Sequence, residues 1–440
     1  MRSALYLCLL ASALYGLVIC DHHEGHQDQG KGGQPGHSGH DHHRHHHHHH
    51  GGKEHDHKPH GSDNMTCHKI APALSEFAFS MFREAAAAGD SHNVFFSPVS
   101  IGTAFAMLSL GAKGATRSQI LEGLGFNLTK LPLAGVHEGF NHLIHRLNDP
   151  SSDLKLSTGN TLFIRQGFKL LQNFLDAAKD EYAADAFSSN FQNEAEAIKQ
   201  INDYVANKTN GKIVDLLKSL DPDTKLVLIN HIFFRGQWEN PFRVQMTKEG
   251  DFHVDANTTV KVPMMRRTGM YSLTRDQALS CTVLKMPYKG GASAMFILPD
   301  AGKMKQVQDA LSVETIRKWL PALERSHTFV NVQLPKFTIS TTMDLKKHLG
   351  KLGMTDAFSD QADFSGFTGE RDLKVSKAVH KAVLSVDERG TEAAGATVIE
   401  IMPVSFPPRF AINHPFFMTI YHKETRSTLF MGRVVNPNAA

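Results

Sequence analysis

Apolar positions recur at helical spacing through the first half of the chain and alternate with polar ones through much of the second. Leu74, Phe77 and Met81 fall on one face and predict a helix that Gly89 ends. Asn93 to Phe96 is a short apolar strand. Ser97-Pro98 then reads as N-cap and first helical residue of a helix running to Leu110 and stopped by Gly111. Thr116-x-x-Gln119 has the spacing of a capping box for the next helix, which ends around Gly123 to Gly125. Further helices are predicted at His137–Arg146, Leu170–Ala184 and Asn193–Asn207, with a strand at Leu154–Ile164 between them.

From Lys225 onward strands dominate: Lys225–Phe234, Gly250–Met265, Met270–Leu273, Cys281–Met286 and Ala292–Leu298, with turns at Lys289-Gly290-Gly291 and Pro299-Asp300. Short helices follow near Val307, at Val313–Leu323 and at Met343–Leu352. Thr328–Ile339, Lys374–Val386, Phe410–His422 and Ser427–Val435 complete the strands. Helices first, strands later and no repeating βαβ unit predict an α+β fold with antiparallel or mixed sheets. Neither an internal repeat nor a linker interrupts the chain after residue 67, so it reads as one large domain.

One stretch has an ambiguous pattern. Glu388 to Pro408 begins with the small residues Gly390, Ala393, Ala394, Gly395 and Ala396, which suit a free loop. In period two, however, Thr391, Ala393, Gly395, Thr397, Ile399 and Ile401 share one face, and Glu392 and Glu400 both fall on the other. Such a segment could enter a sheet as a strand, with small side chains at its leading end and no charge on the buried face. Pro403 stops regular pairing and Pro407-Pro408 stiffens the far side.

Composition adds boundaries. The chain has 440 residues, 41% of them hydrophobic, enough for a large core. Met1-Arg2 followed by the apolar run Ala4–Cys20 reads as a secretory signal peptide covering residues 1–20. Residues 21–66 form a His-rich tail, and the stretch Asp21–His60 holds sixteen of the 28 histidines with almost nothing apolar, so it is expected to be disordered. Its run His45, His46, His47, His48, His49 and His50 offers imidazoles that suit Zn, Ni or Cu. The globular domain is expected over 67–440. Secretion fits the glycosylation motifs at Asn64, Asn127, Asn207 and Asn257. Cys67 and Cys281 remain after the signal, and the sequence leaves open whether they pair. A net charge of +3 without a basic stripe argues against nucleic acid as a partner, and no later stretch is apolar enough to span a membrane.

Catalytic motifs are missing: there is no Gly-x-Ser-x-Gly, no phosphate-binding glycine loop and no Cys-x-x-Cys. His137-Glu138 with His142 approaches a zinc-protease helix, but a spacing of five turns the second histidine about 140° from the first. His142 and His145 could share a face, with no glutamate between them to act as base. An enzyme is not expected.

Four segments together carry a family resemblance: Asn93-Val94-Phe95-Phe96-Ser97-Pro98-Val99-Ser100; Asn230 with Phe233-Phe234-Arg235-Gly236-Gln237-Trp238; Glu388 to Ala396; and Phe410-Ala411-Ile412-Asn413-His414-Pro415-Phe416. Over about residues 69 to 437 the chain resembles the serpins, and within them the secreted alpha-1-antitrypsin-like inhibitors. The resemblance implies three β-sheets, about nine helices and an exposed reactive loop. It implies a suicide substrate that forms an acyl-enzyme with a serine protease of the chymotrypsin fold and then inserts its cut loop into the main sheet. Gly390, Thr391, Glu392, Ala393, Ala394, Gly395 and Ala396 match the family's hinge. Ser97, Ser100, Asn230 and His380 match its shutter, and Trp238 its breach. Counting along the loop places the reactive bond at Val404-Ser405, and a medium-sized apolar residue there suits an elastase-like protease. No cofactor is required, and the inhibitor is expected to be monomeric. The competing reading is a non-inhibitory carrier, of a small hormone or, through the tail, of metal ions.

Overall fold

The computed structural model describes residues 65–389 and 406–439, all within the unit His60–Ala440. The signal peptide, the tail with His45–His50, Asn64, the hinge Gly390–Ala396 and the bond Val404-Ser405 lie outside the described residues.

A short 3-10 turn, Thr66–Lys69, leads into α1 (Ala71–Ala86), whose buried face includes Leu74, Phe77 and Met81 as the spacing predicts. Strand β1 (Val94–Phe96) is followed by α2 (Pro98–Ser109), buried along its whole length. Its cap is the expected one: Ser97 accepts the Ser100 amide through its side chain, with proline at N1. Helix α3 (Gly114–Gly123) departs from expectation. It starts two residues before Thr116, with Lys113 at its N-cap, so the Thr116/Gln119 pair lies inside the helix and caps nothing. Both side chains tie the helix to a later loop instead. Thr116 Oγ1 accepts the Asp363 amide at 2.9 Å, and Gln119 Oε1 accepts the Thr355 and Asp356 amides at 3.2 and 2.9 Å.

Next come α4 (Leu133–Leu147), β2 (Leu156–Arg165), α5 (Gln172–Tyr182), β3 (Asp185–Ser189) and α6 (Glu194–Lys208), the last capped by Asn193. Strand β3 is too short and too polar to stand out in the pattern. Strand β4 (Leu226–Phe234) is buried at all but one position.

Three predicted single strands prove to be pairs. The run 250–265 is a hairpin of β5 (Lys248–His253) and β6 (Thr259–Asp276), turned at Asp255-Ala256-Asn257, and the 270–273 run belongs to β6. After β7 (Cys281–Pro287), β8 (Ala292–Pro299), α7 (Met304–Ala310) and α8 (Val313–Arg325), the run 328–339 breaks after Pro335 into β9 (Thr328–Pro335) and β10 (Phe337–Asp344). Following α9 (Leu345–Lys351), α10 (Ser365–Thr368) and β11 (Lys377–Val386), the run 410–422 breaks at Asn413-His414-Pro415 into β12 (Arg409–Ala411) and β13 (Phe416–His422); β14 (Ser427–Val434) ends the fold. In each case turn residues end a ladder within a run whose alternation continues, because both strands are half-buried.

The described residues hold ten α-helices. Five strands form one mixed sheet in the order β10-β11-β4-β2-β3. The remaining nine follow a path through β6, which pairs with β9 over Met264–Tyr271 and with β7 over Ser272–Asp276, so that β6 belongs to two sheet faces at once. With the five-stranded sheet this makes the three sheets of an α+β fold. The main core lies between the helices and these sheets. A smaller apolar cluster, including Ala197, Ile201 and Val205 of α6 and Val227 and Ile229 of β4, seats α6 on the other face of the five-stranded sheet.

Cys67 and Cys281 are both free and buried. Among the described residues no helix is long and apolar enough to cross a membrane, and no group of three His, Cys, Asp or Glu could hold a metal ion. The histidines of α4 are occupied structurally: His137 hydrogen-bonds Tyr182 Oη, and His142 Nδ1 accepts the Cys67 amide at 3.3 Å.

Candidate functional site

The centre of the five-stranded sheet has an unusual neighbourhood. β11 and β4 run parallel, Lys377 to Leu384 opposite Val227 to Phe234, while their outer neighbours β10 and β2 are antiparallel to them. Register places His380 beside Asn230, and Asn230 beside Asn160. These polar side chains lie where a strand interior would ordinarily be apolar, and each is accounted for. The Asn230 amide donates to Ser100 Oγ at 2.7 Å, to the Ser100 carbonyl at 3.1 Å and to Asn160 Oδ1 at 2.6 Å. Ser100 Oγ also lies 3.2 Å from Thr158 Oγ1.

His380 completes the cluster, and its tautomer follows from its partners. The Ser97 amide donates to its Nε2 at 3.0 Å, so Nε2 carries no proton. Nδ1–H is then the donor to Asn230 Oδ1. The ring is fully buried, and burial, reinforced by the nearby His231, holds its pKa down at about 3. The imidazole is therefore neutral and ties the N-terminus of α2 to β11 and β4. All four residues expected at the shutter, Ser97, Ser100, Asn230 and His380, meet in one network. Thr158 and Asn160 join it without having been expected, although two polar residues on the face that carries Leu162 and Ile164 were a visible signal.

His231 lies on the opposite face of β4. It is 4% exposed, its Nδ1 has no hydrogen-bond partner, and its ring lies over Gly159, where a Cβ would come within 2.6 Å of Cε1. Glycine at 159 is what makes room for it. Burial, then the charge of Lys208, lower its pKa to about 4.

A second cluster closes the end of β11. Trp238 stacks on Tyr288, ring centroids 4.1 Å apart, and donates from Nε1 to the Asp387 carbonyl at 2.9 Å. Two further backbone bonds hold the same segment, Trp238 N–H to the Arg389 carbonyl at 3.1 Å and Phe242 N–H to the Glu388 carbonyl at 3.1 Å. The Glu388 carboxylate is 5% exposed and receives Lys336 Nζ at 2.9 Å and Thr247 Oγ1 at 2.9 Å. Burial acts to raise its pKa, but hydrogen bonds from Lys336, its own backbone and Thr247 outweigh that and hold it below the usual range. The neighbouring Asp387 is raised, by burial first. The expected breach residue Trp238 is thus one part of a clamp on residues 387–389. Lys336, Thr247 and Tyr288 are the other parts, and nothing in their local sequence marked them.

On the far side of the 390–405 stretch, the chain is anchored again. The Asn331 amide donates to the Pro408 carbonyl at 2.9 Å and β12 pairs with β9 in parallel register. Asn127, Asn207 and Asn257 are exposed, as acceptors of a glycan must be. The Asn207 motif includes Thr209, which is 5% exposed and hydrogen-bonded to the Val205 carbonyl.

A family model described as serpin (serine protease inhibitor) matches residues 72–437. Alpha-1-antitrypsin of Sus scrofa is 53% identical over 383 residues, spanning 87% of this chain and 90% of that protein. Alpha-1-antiproteinase 2 of Equus caballus is 54% identical over 370 residues, 84% and 87% of the two. Among solved structures, human glycosylated kallistatin superposes with a TM-score of 0.81 at 43% identity, covering 86% of this chain and all of the other. Human thyroxine-binding globulin gives 0.80 at 42%, covering 85% and 100%. With its central parallel strand pair, the polar network beneath and the family match across nearly all of the described residues, the chain belongs to the serpin family.

Proposed function

We propose that this chain is a secreted serine protease inhibitor that acts as a suicide substrate, with an elastase-like protease as its target. The observation that carries the reading is the parallel β11–β4 pair at the centre of the five-stranded sheet, with an antiparallel ladder on either side of it. A strand entering between them from the end of β11 would run antiparallel to both. One parallel ladder would be exchanged for two antiparallel ones, which are more stable per residue. The stretch from Gly390 has the alternation and small leading side chains such a strand needs. It leaves β11 through the clamp at 387–389, so the cut segment would begin its entry at Trp238. The shutter network lies directly beneath the strands that must part. Nucleophile and oxyanion hole belong to the protease; this chain contributes bait and a fold held short of its most stable arrangement.

Val404-Ser405 is the bond we assign to the attack, with Gly390–Ala396 as hinge. The domain limits proposed with it are a signal peptide at 1–20, a tail at 21–66 and the inhibitor at 67–440, glycosylated at sites drawn from Asn64, Asn127, Asn207 and Asn257 and acting as a monomer. Incubation with pancreatic elastase and with trypsin tests the assignment. An SDS-stable complex with elastase, broken at Val404-Ser405, is expected; a complex with trypsin alone removes the elastase preference, and none with either removes the inhibitor.

A second reading has one specific observation behind it: thyroxine-binding globulin, solved in complex with thyroxine, shares the fold at 43% identity. Under that reading the serpin body would carry a small ligand. The small-residue hinge favours inhibition, and cleaving the loop decides, since insertion raises the thermal midpoint and a carrier without insertion gains nothing. Metal binding by His45–His50 is a separate proposal, tested by titrating Zn or Ni into the full chain and into a chain lacking 21–60; equal binding by both removes it.

A further inference from the structure

The short segment that follows the assigned reactive bond displays two side chains that common serine proteases accept, and both are closed to attack. Phe406 is 103% exposed, the extreme among the large apolar side chains described. Arg409 is exposed as well. An aromatic side chain fits a hydrophobic specificity pocket and an arginine fits an acidic one. Exposed connecting segments are where proteolytic nicking concentrates. A cut after either residue would open the bait before the assigned bond was reached.

The bond after Phe406 is closed by its own chemistry, because its nitrogen belongs to Pro407. In acyl transfer by a serine protease the catalytic histidine gives a proton to the leaving nitrogen. On proline that nitrogen carries the ring Cδ in place of a hydrogen, so the ring stands where the histidine must approach. The same ring restricts the backbone of Phe406. The fold does not cover the site: the Asn331 amide pins the Pro408 carbonyl at 2.9 Å, two residues further along, and the Phe406 side chain is left bare.

The bond after Arg409 is closed by pairing instead. Arg409, Phe410 and Ala411 stand in register with Asn331, Val332 and Gln333 of β9, and the Ile412 amide donates to the Gln333 carbonyl at 2.8 Å. Phe410 and Ala411 are half-buried and Ile412 is fully buried. A protease takes its substrate as an extended strand, bonded through the backbone on both sides of the cut. Here that backbone is already bonded to β9, and the residues past the bond run into the core.

We propose that Pro407 and the β12–β9 ladder are specificity devices. Pro407 closes Phe406 to proteases with an aromatic pocket, and the ladder closes Arg409 to those with an acidic pocket. The choice of target is thereby left to the residue before the reactive bond. The two guards stand on residues 406–412 alone; their consequence for inhibition rests on the assignment of Val404-Ser405.

The test exposes four substrates to chymotrypsin and to trypsin and reads the cut bonds by mass spectrometry. They are the full chain, its Pro407→Ala variant, its Phe406→Ser/Pro407→Ala variant, and a peptide spanning residues 398–412. The full chain should resist cutting after both Phe406 and Arg409. The peptide has the sequence but no ladder, so trypsin should cut it after Arg409 and chymotrypsin after Phe410, but not after Phe406. Pro407→Ala should be cut by chymotrypsin after Phe406 roughly a hundredfold faster than the parent, or more. Adding Phe406→Ser should abolish that cut, with thermal midpoints alike in all three chains. A parent cut after Phe406, or a Pro407→Ala variant as resistant as the parent, overturns the proline guard. A parent cut after Arg409 as fast as the peptide overturns the ladder guard. Pancreatic elastase is run in parallel: absence of an SDS-stable complex with the parent removes the inhibitor reading and overturns the role in specificity, while the guards themselves still stand or fall on the bonds cut.

Discussion

Replacing His231 with glutamine should flatten the loss of stability on acidification. His231 is buried against Gly159 with Nδ1 unpartnered, and the charges near it are cationic: Lys208 at the end of α6, and Lys381, its register partner on β11. Nothing there rewards protonation, so the folded pKa is about 4 against an ordinary 6.5. The sign follows from proton uptake. A depressed folded pKa means the unfolded chain binds the extra proton first, so the contribution is complete above pH 6.5 and drains away as pH falls through 4. At pH 4.5 the two-unit distance from the unfolded value corresponds to about 2.5 kcal/mol lost relative to pH 7.5. At about 2 °C per kcal/mol for a domain of this size, the parent should fall about 5 °C further than the variant between those two pH values. Any packing cost of glutamine in the same space does not depend on pH and cancels in the comparison. Thermal midpoints by tryptophan fluorescence at pH 7.5 and 4.5, at one ionic strength, are sufficient. An equal fall in both proteins would show that this imidazole is not the buried proton acceptor described.

Asn230→Ala should lower the midpoint by about 6 °C, since it strands His380 Nδ1–H, Ser100 Oγ and Asn160 Oδ1 in a buried site for a total of about 3 kcal/mol; differential scanning calorimetry reads this directly. Glu388→Gln removes the buried carboxylate that Lys336 and Thr247 hold and should cost about 1–3 kcal/mol, less than for a fully buried pair because Lys336 is 45% exposed. Its loosened clamp should appear as a red shift in Trp238 emission, and unchanged emission with unchanged stability would show that the pair holds nothing. Thr391→Arg places a charge on the face that insertion would bury, and should leave cleavage of the loop intact while raising the stoichiometry of inhibition several-fold; a variant that still inhibits one-to-one contradicts insertion.

The network of Ser97, Ser100, Asn230 and His380 was legible through the family resemblance, and its Ser97-Pro98 end also through a cap that local chemistry alone specifies. The clamp was not. Glu388 looks like any acidic residue beside a loop, and its partner Lys336 looks like a solvated lysine at a strand break; 52 positions separate them, and only the pairing of β10 with β11, Phe337 opposite Val386, brings them together. The three overlong strands failed for a related reason. Alternation reports that one face is buried, and it continues across a turn when both strands are half-buried, as at Pro335-Lys336.

The amino-acid order by itself determined the helices, the Ser97 cap, the α+β class and the family. Tertiary structure alone decided which strands are neighbours, that β11 and β4 run parallel, that His231 faces α6 while Asn230 faces α2, and that Glu388 meets Lys336. Periodicity and propensity act over a few residues and specify which face of an element is apolar. Which partner that face meets depends on chain closure over tens to hundreds of residues, a sum of many weak contacts that no short window of sequence contains.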